Sequence, residues 1–299
     1  EIGLGIPAEP LFRSGRIDAK RKSSPQAPIL DVLHEQLSNS FRTFLMTGGM
    51  PASVVAWIEH NDYLACQDEI ENIADSYDYD FKKYAKRISP DLLKAVLHSA
   101  VQQVGKKFVY SHVEGAYSTD EVKKALGFLC DAGLLHRVQH TAANGLPLGA
   151  EVNKKFTKYI LLDSGLLLSL LNMDANGAHE LTQDILTATA ADLVDKGSLT
   201  EMVAGLELIK YASPKRKCEL YYWENLANGA TSEVDYILSR DMKVLPMEVK
   251  SGTSGKMKSL RLFMEKKHLT HAIRCSMENF SQLPKEGIDI IPLYAIANI

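Results

Sequence analysis

The run TSEVDYILSRDMKVLPMEVKSG, residues 231–252, decides how this chain folds. Alternation from Ser232 to Leu238 predicts a strand. Its Glu233, Asp235 and Ile237 share one face and Val234, Tyr236 and Leu238 the other, because successive strand residues point to opposite sides. Ser239, Arg240 and Asp241 make a tight polar turn. A second strand, Lys243 to Lys250, then sets Leu245, Met247 and Val249 opposite Glu248 and Lys250. Acids and a lysine are thereby aimed together at one end of a hairpin.

Carboxylates on adjacent strands hold hard cations such as Mg²⁺ through oxygen, at about 2.0–2.1 Å, and the ion stabilises charge on a phosphate. A lysine two residues beyond the second acid orients or deprotonates the attacking water. Asp235, Glu248 and Lys250 supply that set, so Mg²⁺-dependent phosphodiester hydrolysis is one expectation. The plainer one is a half-exposed strand whose charges are simply solvated.

An acid on one strand and Glu248-Val249-Lys250 on the next resemble the PD-(D/E)xK nuclease superfamily, the restriction-endonuclease-like fold. Val234 stands where that name expects proline, a position the metal chemistry does not use. The resemblance implies Asp235 and Glu248 as metal ligands and Lys250 as a catalytic residue. It also implies an accessory acid from the preceding helix, for which Glu201 in GSLTEMVAGLELIKYA is the best match and Glu207 a poorer one.

A longer series carries a second resemblance. FRTFLMTGGMPASVVAWIE, an acidic helix ending YDYDFKKYA, LCDAGLLHRV, KYILLDSGLL, EVDYIL and MEVKSG follow one another as in the C-terminal half of a group of prokaryotic AAA-type ATPases. There a P-loop domain precedes a helical and winged-helix region and a nuclease-like terminal domain. The likeness covers about residues 30 to 299 and implies an upstream ATPase domain as partner, with ATP bound there. The first residue, Glu1, fits the expectation of a fragment of a longer protein. Gly252-Thr253-Ser254-Gly255-Lys256-Met257 has the wrong glycine spacing for a P-loop, and methionine where Ser or Thr would meet Mg²⁺, so these residues are not expected to bind ATP.

At 299 residues, 45% hydrophobic and 24% charged, the chain has material for about two packed domains. A net charge of −3 argues against a uniformly basic nucleic-acid binder and leaves room for local basic patches. Cys66, Cys130, Cys218 and Cys275 are far apart with no C-x-x-C pair, as expected of core thiols in a cytoplasmic protein. The most apolar run, Tyr159 to Leu171, is interrupted by Asp163 and Ser164 and is shorter than the roughly 20 residues of a membrane helix.

Residues 1–28, rich in Gly, Pro and charge, read as a linker or poorly ordered leading segment. Helical periodicity follows from Ile29, is stopped at Gly48-Gly49, restarts at Pro51 and continues in an acidic helix through Ile70, Ile73, Tyr77 and Phe81. Within 90–162, a helix over Leu93 to Val104 is followed by a second one opened by the S-x-x-E capping box of Ser118 to Glu121. A hairpin, Leu134 to Thr141 with Phe156 to Leu162, completes a winged-helix-like unit. Its helix at 118–132 presents Asp120, Glu121, Lys123, Lys124 and Asp131, not a phosphate-seeking face, whereas the hairpin carries His136, Arg137, His140, Lys154, Lys155 and Lys158. An amphipathic helix around Ile185, Leu186 and Leu193 is expected next, then the helix of Glu201, a strand at Cys218 to Trp223 and an Asn228-Gly229 turn. Beyond the ExK lie a basic helix, Lys256 to Lys267, and two more strands.

The expected architecture is a two-domain α+β/α/β chain: a helical, winged-helix-like region at 29–172 and a restriction-endonuclease-like mixed sheet at 180–299. Three functions stay open, and the first two are a nucleic-acid-directed region with an Mg²⁺-dependent nuclease site and a non-catalytic assembly module that recognises a protein partner. A winged-helix DNA-binding regulator is the third. Candidate nucleic-acid contacts are Lys256, Lys258, Arg261, Lys154 and Lys155.

Overall fold

The computed structural model describes residues 9–171, 197–213, 215, 218–225, 232–252 and 257–299. The helix expected around Ile185, Leu186 and Leu193, the Asn228-Gly229 turn and Lys256 lie outside the described residues.

A helical region comes first: α1 (Glu9–Lys22), α2 (Asp31–Thr47), α3 (Pro51–His60), α4 (Tyr63–Lys83), α5 (Pro90–Gln102) and α6 (Thr119–Asp131). The leading segment expected to be a linker is instead helical in α1. Its end is anchored, since Lys20 Nζ donates to the Tyr294 carbonyl and the Asn298 amide donates to the carbonyls of Lys20 and Ser23. Contacts 274 or more residues away along the chain cannot be read from local composition.

The caps follow the sequence. Ser118 Oγ accepts the Glu121 N–H at 3.3 Å and Glu121 Oε2 accepts the Ser118 N–H at 2.8 Å, closing the capping box of α6. Gly48, at φ 69°, ends α2 in a conformation that costs glycine little, and Pro51 opens α3. The buried Asp163 carboxylate accepts the Gly49 N–H at 2.7 Å and the Leu166 N–H at 3.0 Å. GGMP is therefore helix punctuation, and it is tied to α7 (Ser164–Leu171).

Strands β1 (Leu135–Thr141) and β2 (Val152–Leu161) form the expected hairpin. Then come α8 (Gly197–Lys210), β3 (Leu220–Glu224), β4 (Glu233–Arg240), β5 (Lys243–Val249), α9 (Lys258–Lys266), β6 (Ala272–Ser276), β7 (Ser281–Leu283) and β8 (Ile288–Pro292). Among the described residues all eight strands make one mixed sheet in the order β2-β1-β3-β4-β5-β6-β8-β7. The hairpin is thus not a free-standing wing. β1 pairs in parallel with β3 from Val138↔Leu220 to His140↔Tyr222, so the sheet runs on from the N-terminal hairpin into the C-terminal strands. β3, β4 and β5 are a meander, and α9 crosses over to put β6 parallel to β5.

One feature of β4 departs from simple alternation. Tyr221 pairs with Ile237 but Trp223 with Val234, so Asp235 and Tyr236 together stand opposite Tyr222. This is a β-bulge, which inserts a residue and re-aims the side chains around it. Val234 and Ile237 consequently enter the same apolar cluster, with Trp223 and the α9 residues Leu260 and Phe263. Tyr236 joins the other cluster with Tyr222, Met247 and the α8 residues Met202 and Val203. Sequence alternation had placed Ile237 with Asp235, and the bulge moves it across the sheet.

α8 packs close to the sheet at Gly205. A Cβ there would overlap the Tyr236 hydroxyl and lie 2.8 Å from Ile160 Cδ1, both on fully buried side chains with no room to retreat. Gly205→Ala is expected to lower stability by about 1–3 kcal/mol, despite alanine's better helix propensity. Urea denaturation checks this, and an unchanged or raised midpoint would contradict the packing.

Candidate carboxylate site

The bulge and α8 bring three acids together. Oxygens of Glu201, on α8, and of Glu233 and Asp235, on β4, all lie within 4.8 Å of one another. α8 is held in this register by Tyr236, whose hydroxyl donates to the Glu201 carbonyl at 2.7 Å. The β4–β5 ladder ends at Tyr236↔Met247, and beyond it Asp235 Oδ2 accepts the Val249 N–H at 2.7 Å. The Asp235 side chain thus takes a β5 backbone N–H just where the β4–β5 ladder has ended.

Into this cluster reaches Lys158 of β2, with a side chain only 1% exposed. Its ammonium donates to Glu201 Oε1 at 2.8 Å and to Glu233 Oε1, and lies 4.9 Å from the ring centre of Tyr222. Beside the cluster, Lys250 Nζ donates to Glu248 Oε1 at 2.5 Å, while the buried Glu248 Oε2 has no hydrogen-bond partner among the described residues.

Of the residues expected to carry chemistry, Asp235 and Glu201 meet in the cluster, and Glu248 and Lys250 pair with each other next to it. Glu248 is not a member of the three-carboxylate group; Glu233 takes that place. Lys158, grouped from sequence with the basic hairpin residues, is instead fully buried. Its signal was present: on β2 it stands between the apolar Phe156 and Ile160 in the period-2 alternation. Lys154 and Lys155 are exposed on β2 and line a groove with Lys123, His136 and Arg137. Lys258 is exposed at the start of α9, and Arg261 is engaged by Glu286, Nε to Oε2 at 2.6 Å.

Residues 196–296 match the domain of unknown function DUF4143. Residues 38–177 match a second family model, the domain of unknown function DUF8612. No curated protein and no solved structure matches the chain. Lys158 lies in the DUF8612 stretch, whereas Glu201, Glu233 and Asp235 lie in the DUF4143 stretch, so the central ion pair joins the two. No helix among the described residues is long and apolar enough to cross a membrane.

The DUF4143 acids have the all-oxygen donor set of a hard divalent cation such as Mg²⁺. As arranged, however, the site does not fit one. An ammonium already bonds two of the three carboxylates, and Asp235 spends one oxygen on a backbone N–H.

Burial dominates the electrostatics of the group. It pushes Glu201 up to about 8, with Lys158 pulling back and Asp235 and Glu233 adding to the rise. It pushes Glu248 up to about 7, with Asp235 reinforcing and Lys250 opposing. Glu233 and Asp235 are raised for the same first reason. Burial alone would depress Lys158, but Glu201, Glu233 and Asp235 outweigh it and hold the ammonium charged well above the ordinary lysine range.

The sign of the linkage follows. Folded Glu248 and Glu201 hold protons more tightly than an ordinary glutamate does, so the native state loses stability as pH rises from the usual carboxylate range up through about 7 to 8. The urea midpoint of the wild type is expected to be lower at about pH 8.5 than at about pH 5.5, and Glu248→Gln to flatten that dependence. A wild-type midpoint that rises over this interval would contradict the assignment.

Proposed function

We propose that this chain is a non-hydrolytic module of restriction-endonuclease-like fold, the C-terminal, partner-recognising region of an AAA-type ATPase. The observation that carries the reading is Lys158. A buried ammonium stands among the carboxylates where a nuclease of this fold would need its metal. Lys250, the residue that would handle the attacking water, is ion-paired to Glu248. The DUF4143 match supports the ATPase context, because that domain is found in C-terminal regions of AAA ATPases. The element order α8-β3-β4-β5-α9-β6, with an antiparallel meander and a parallel crossover, supports the fold. α5, α6 and the β1–β2 hairpin make the winged-helix-like part, whose α6 carries Asp120 and Glu121 in its first turn and so favours a protein partner over a phosphate backbone. ATP belongs to the upstream domain in this reading, and the module works in the cytoplasm.

The nuclease reading has its own support: Asp235 and Glu201 do come together, with Glu248 and Lys250 beside them. Calorimetric titration of Mg²⁺ and Mn²⁺ into wild type and Asp235→Ala, with and without a DNA duplex, separates the two. No saturable binding at millimolar ion, and no cleavage of single- or double-stranded DNA or RNA, is the expected result. Saturable binding that disappears in Asp235→Ala, or metal-dependent cleavage, would replace the module reading with the enzyme.

A further inference from the structure

We infer that the groove between α6 and the β1–β2 hairpin docks an acidic segment of the partner protein, one that sets carboxylates among apolar side chains. The inference rests on the partner-recognising reading above, and says where that partner is held and by what chemistry.

The groove has a volume of about 810 Å³, the size of a ligand site. Four exposed cations line it, Lys123 of α6, Arg137 of β1, and Lys154 and Lys155 of β2, against one exposed acid, Glu219. In a chain of net charge −3 this is a local excess of the opposite sign. The acid is itself engaged, because Glu219 Oε2 accepts the Tyr221 hydroxyl. Lys154 and Lys155 make no ion pair among the described residues.

The backbone of β2 presents these two lysines outside its ladder. Gln139 pairs with Thr157 and His140 with Asn153, so Lys154, Lys155 and Phe156 stand in a bulge between successive partners. Phe156 anchors the bulge, its ring centre 5.9 Å from that of His140 and 4.3 Å from Lys107 Nζ. Asn153 Oδ1 accepts the Lys155 N–H at 3.1 Å and fixes the turn of the chain. The aromatic residue of the bulge is thereby packed, and its two charges are left exposed.

Across the groove, Lys123 Nζ stands 5.8 Å from the ring centre of Tyr110, and Arg137, bonded to the Tyr159 side chain, passes beside Gly127 of α6. The buried Leu135, Tyr159 and Leu220 belong to the same lining. Cations around an apolar lining match a segment carrying both carboxylates and apolar side chains: burial supplies affinity, and the charges supply attraction and register. A nucleic-acid backbone matches less well. It carries charge at every nucleotide, whereas the wall at Thr119 continues into the exposed Asp120 and Glu121.

The test selects a random peptide library, displayed on phage, against the whole chain, and measures binding of the most enriched peptide by fluorescence anisotropy. Enriched sequences are expected to interleave Asp or Glu with apolar residues. Lys154→Glu with Lys155→Glu is expected to weaken that peptide at least about tenfold, and Lys258→Glu, an exposed cation of α9, to leave it unchanged. Both reversed lysines are exposed, so the urea midpoint stays at the wild-type value; where it falls, Lys154→Gln with Lys155→Gln takes the variant's place. Cys130 and Cys218 line the groove while Cys66 and Cys275 are buried, so bound peptide is expected to slow iodoacetamide labelling at Cys130 and Cys218. Absence of acidic enrichment, equal binding by the lysine variant, or labelling indifferent to the peptide overturns the inference. So does a single- or double-stranded oligonucleotide that binds through the same lysines more tightly than the peptide. Metal-dependent cleavage would remove the non-hydrolytic reading and leave the peptide result standing, whereas a groove that takes no acidic peptide removes this inference alone.

Discussion

A charged amine is costly to bury unless carboxylates surround it, and carboxylates crowded together in a protein interior need a cation among them or a proton on one of them. Lys158, Glu201, Glu233 and Asp235 satisfy both demands at once, and much of the structure is arranged to let them. Losing one partner of such a group leaves an uncompensated buried charge, typically costing 3–5 kcal/mol, so the cluster fixes which elements meet even where its net contribution to stability is small. β2, α8 and β4 meet here. They are far apart in sequence and carry stretches matched by two different families.

The bulge in β4 makes the meeting possible. Regular alternation would give Asp235 and Tyr236 to opposite faces, and α8 would lose either its carboxylate neighbour or its hydroxyl anchor. With the extra residue opposite Tyr222, Asp235 faces Glu201 while Tyr236 bonds the same residue's carbonyl, and Val234 and Ile237 are both free to pack under α9. Gly205 completes the fit by letting α8 approach Tyr236 and Ile160 without a side chain between them. Chemistry and packing are thus settled by one inserted residue.

A continuous sheet across the two family-matched stretches also bears on how the chain works. The β1–β2 hairpin, which in a free-standing winged helix would be available to a groove, spends its inner strand on β3 and its Lys158 on the acids. What it leaves at the surface is a set of cations, Arg137, Lys154 and Lys155, along a groove that also holds Lys123 of α6 and Glu219.

Local order was legible wherever the cause was local. The S-x-x-E box named the start of α6, Gly48 and Pro51 named the break between α2 and α3, and period-2 runs named β4 and β5, because capping, φ preference and pleating act within a few residues. The acids Asp235, Glu248 and Glu201 were likewise visible as candidates from strand and helix position. The helix in the leading segment was not, since its anchors are Tyr294 and Asn298. Nor were the bulge, Glu233 as the third acid, or Lys158 as their counter-cation. A lysine among apolar residues announces only that something must neutralise it. Which carboxylates do so depends on β1 pairing with β3 and α8 folding over the sheet, contacts between segments dozens of residues apart. The sequence by itself determined the elements and the inventory of charges; only the tertiary structure decided which charges face one another, because Coulomb attraction in a desolvated interior acts through space and not along the chain.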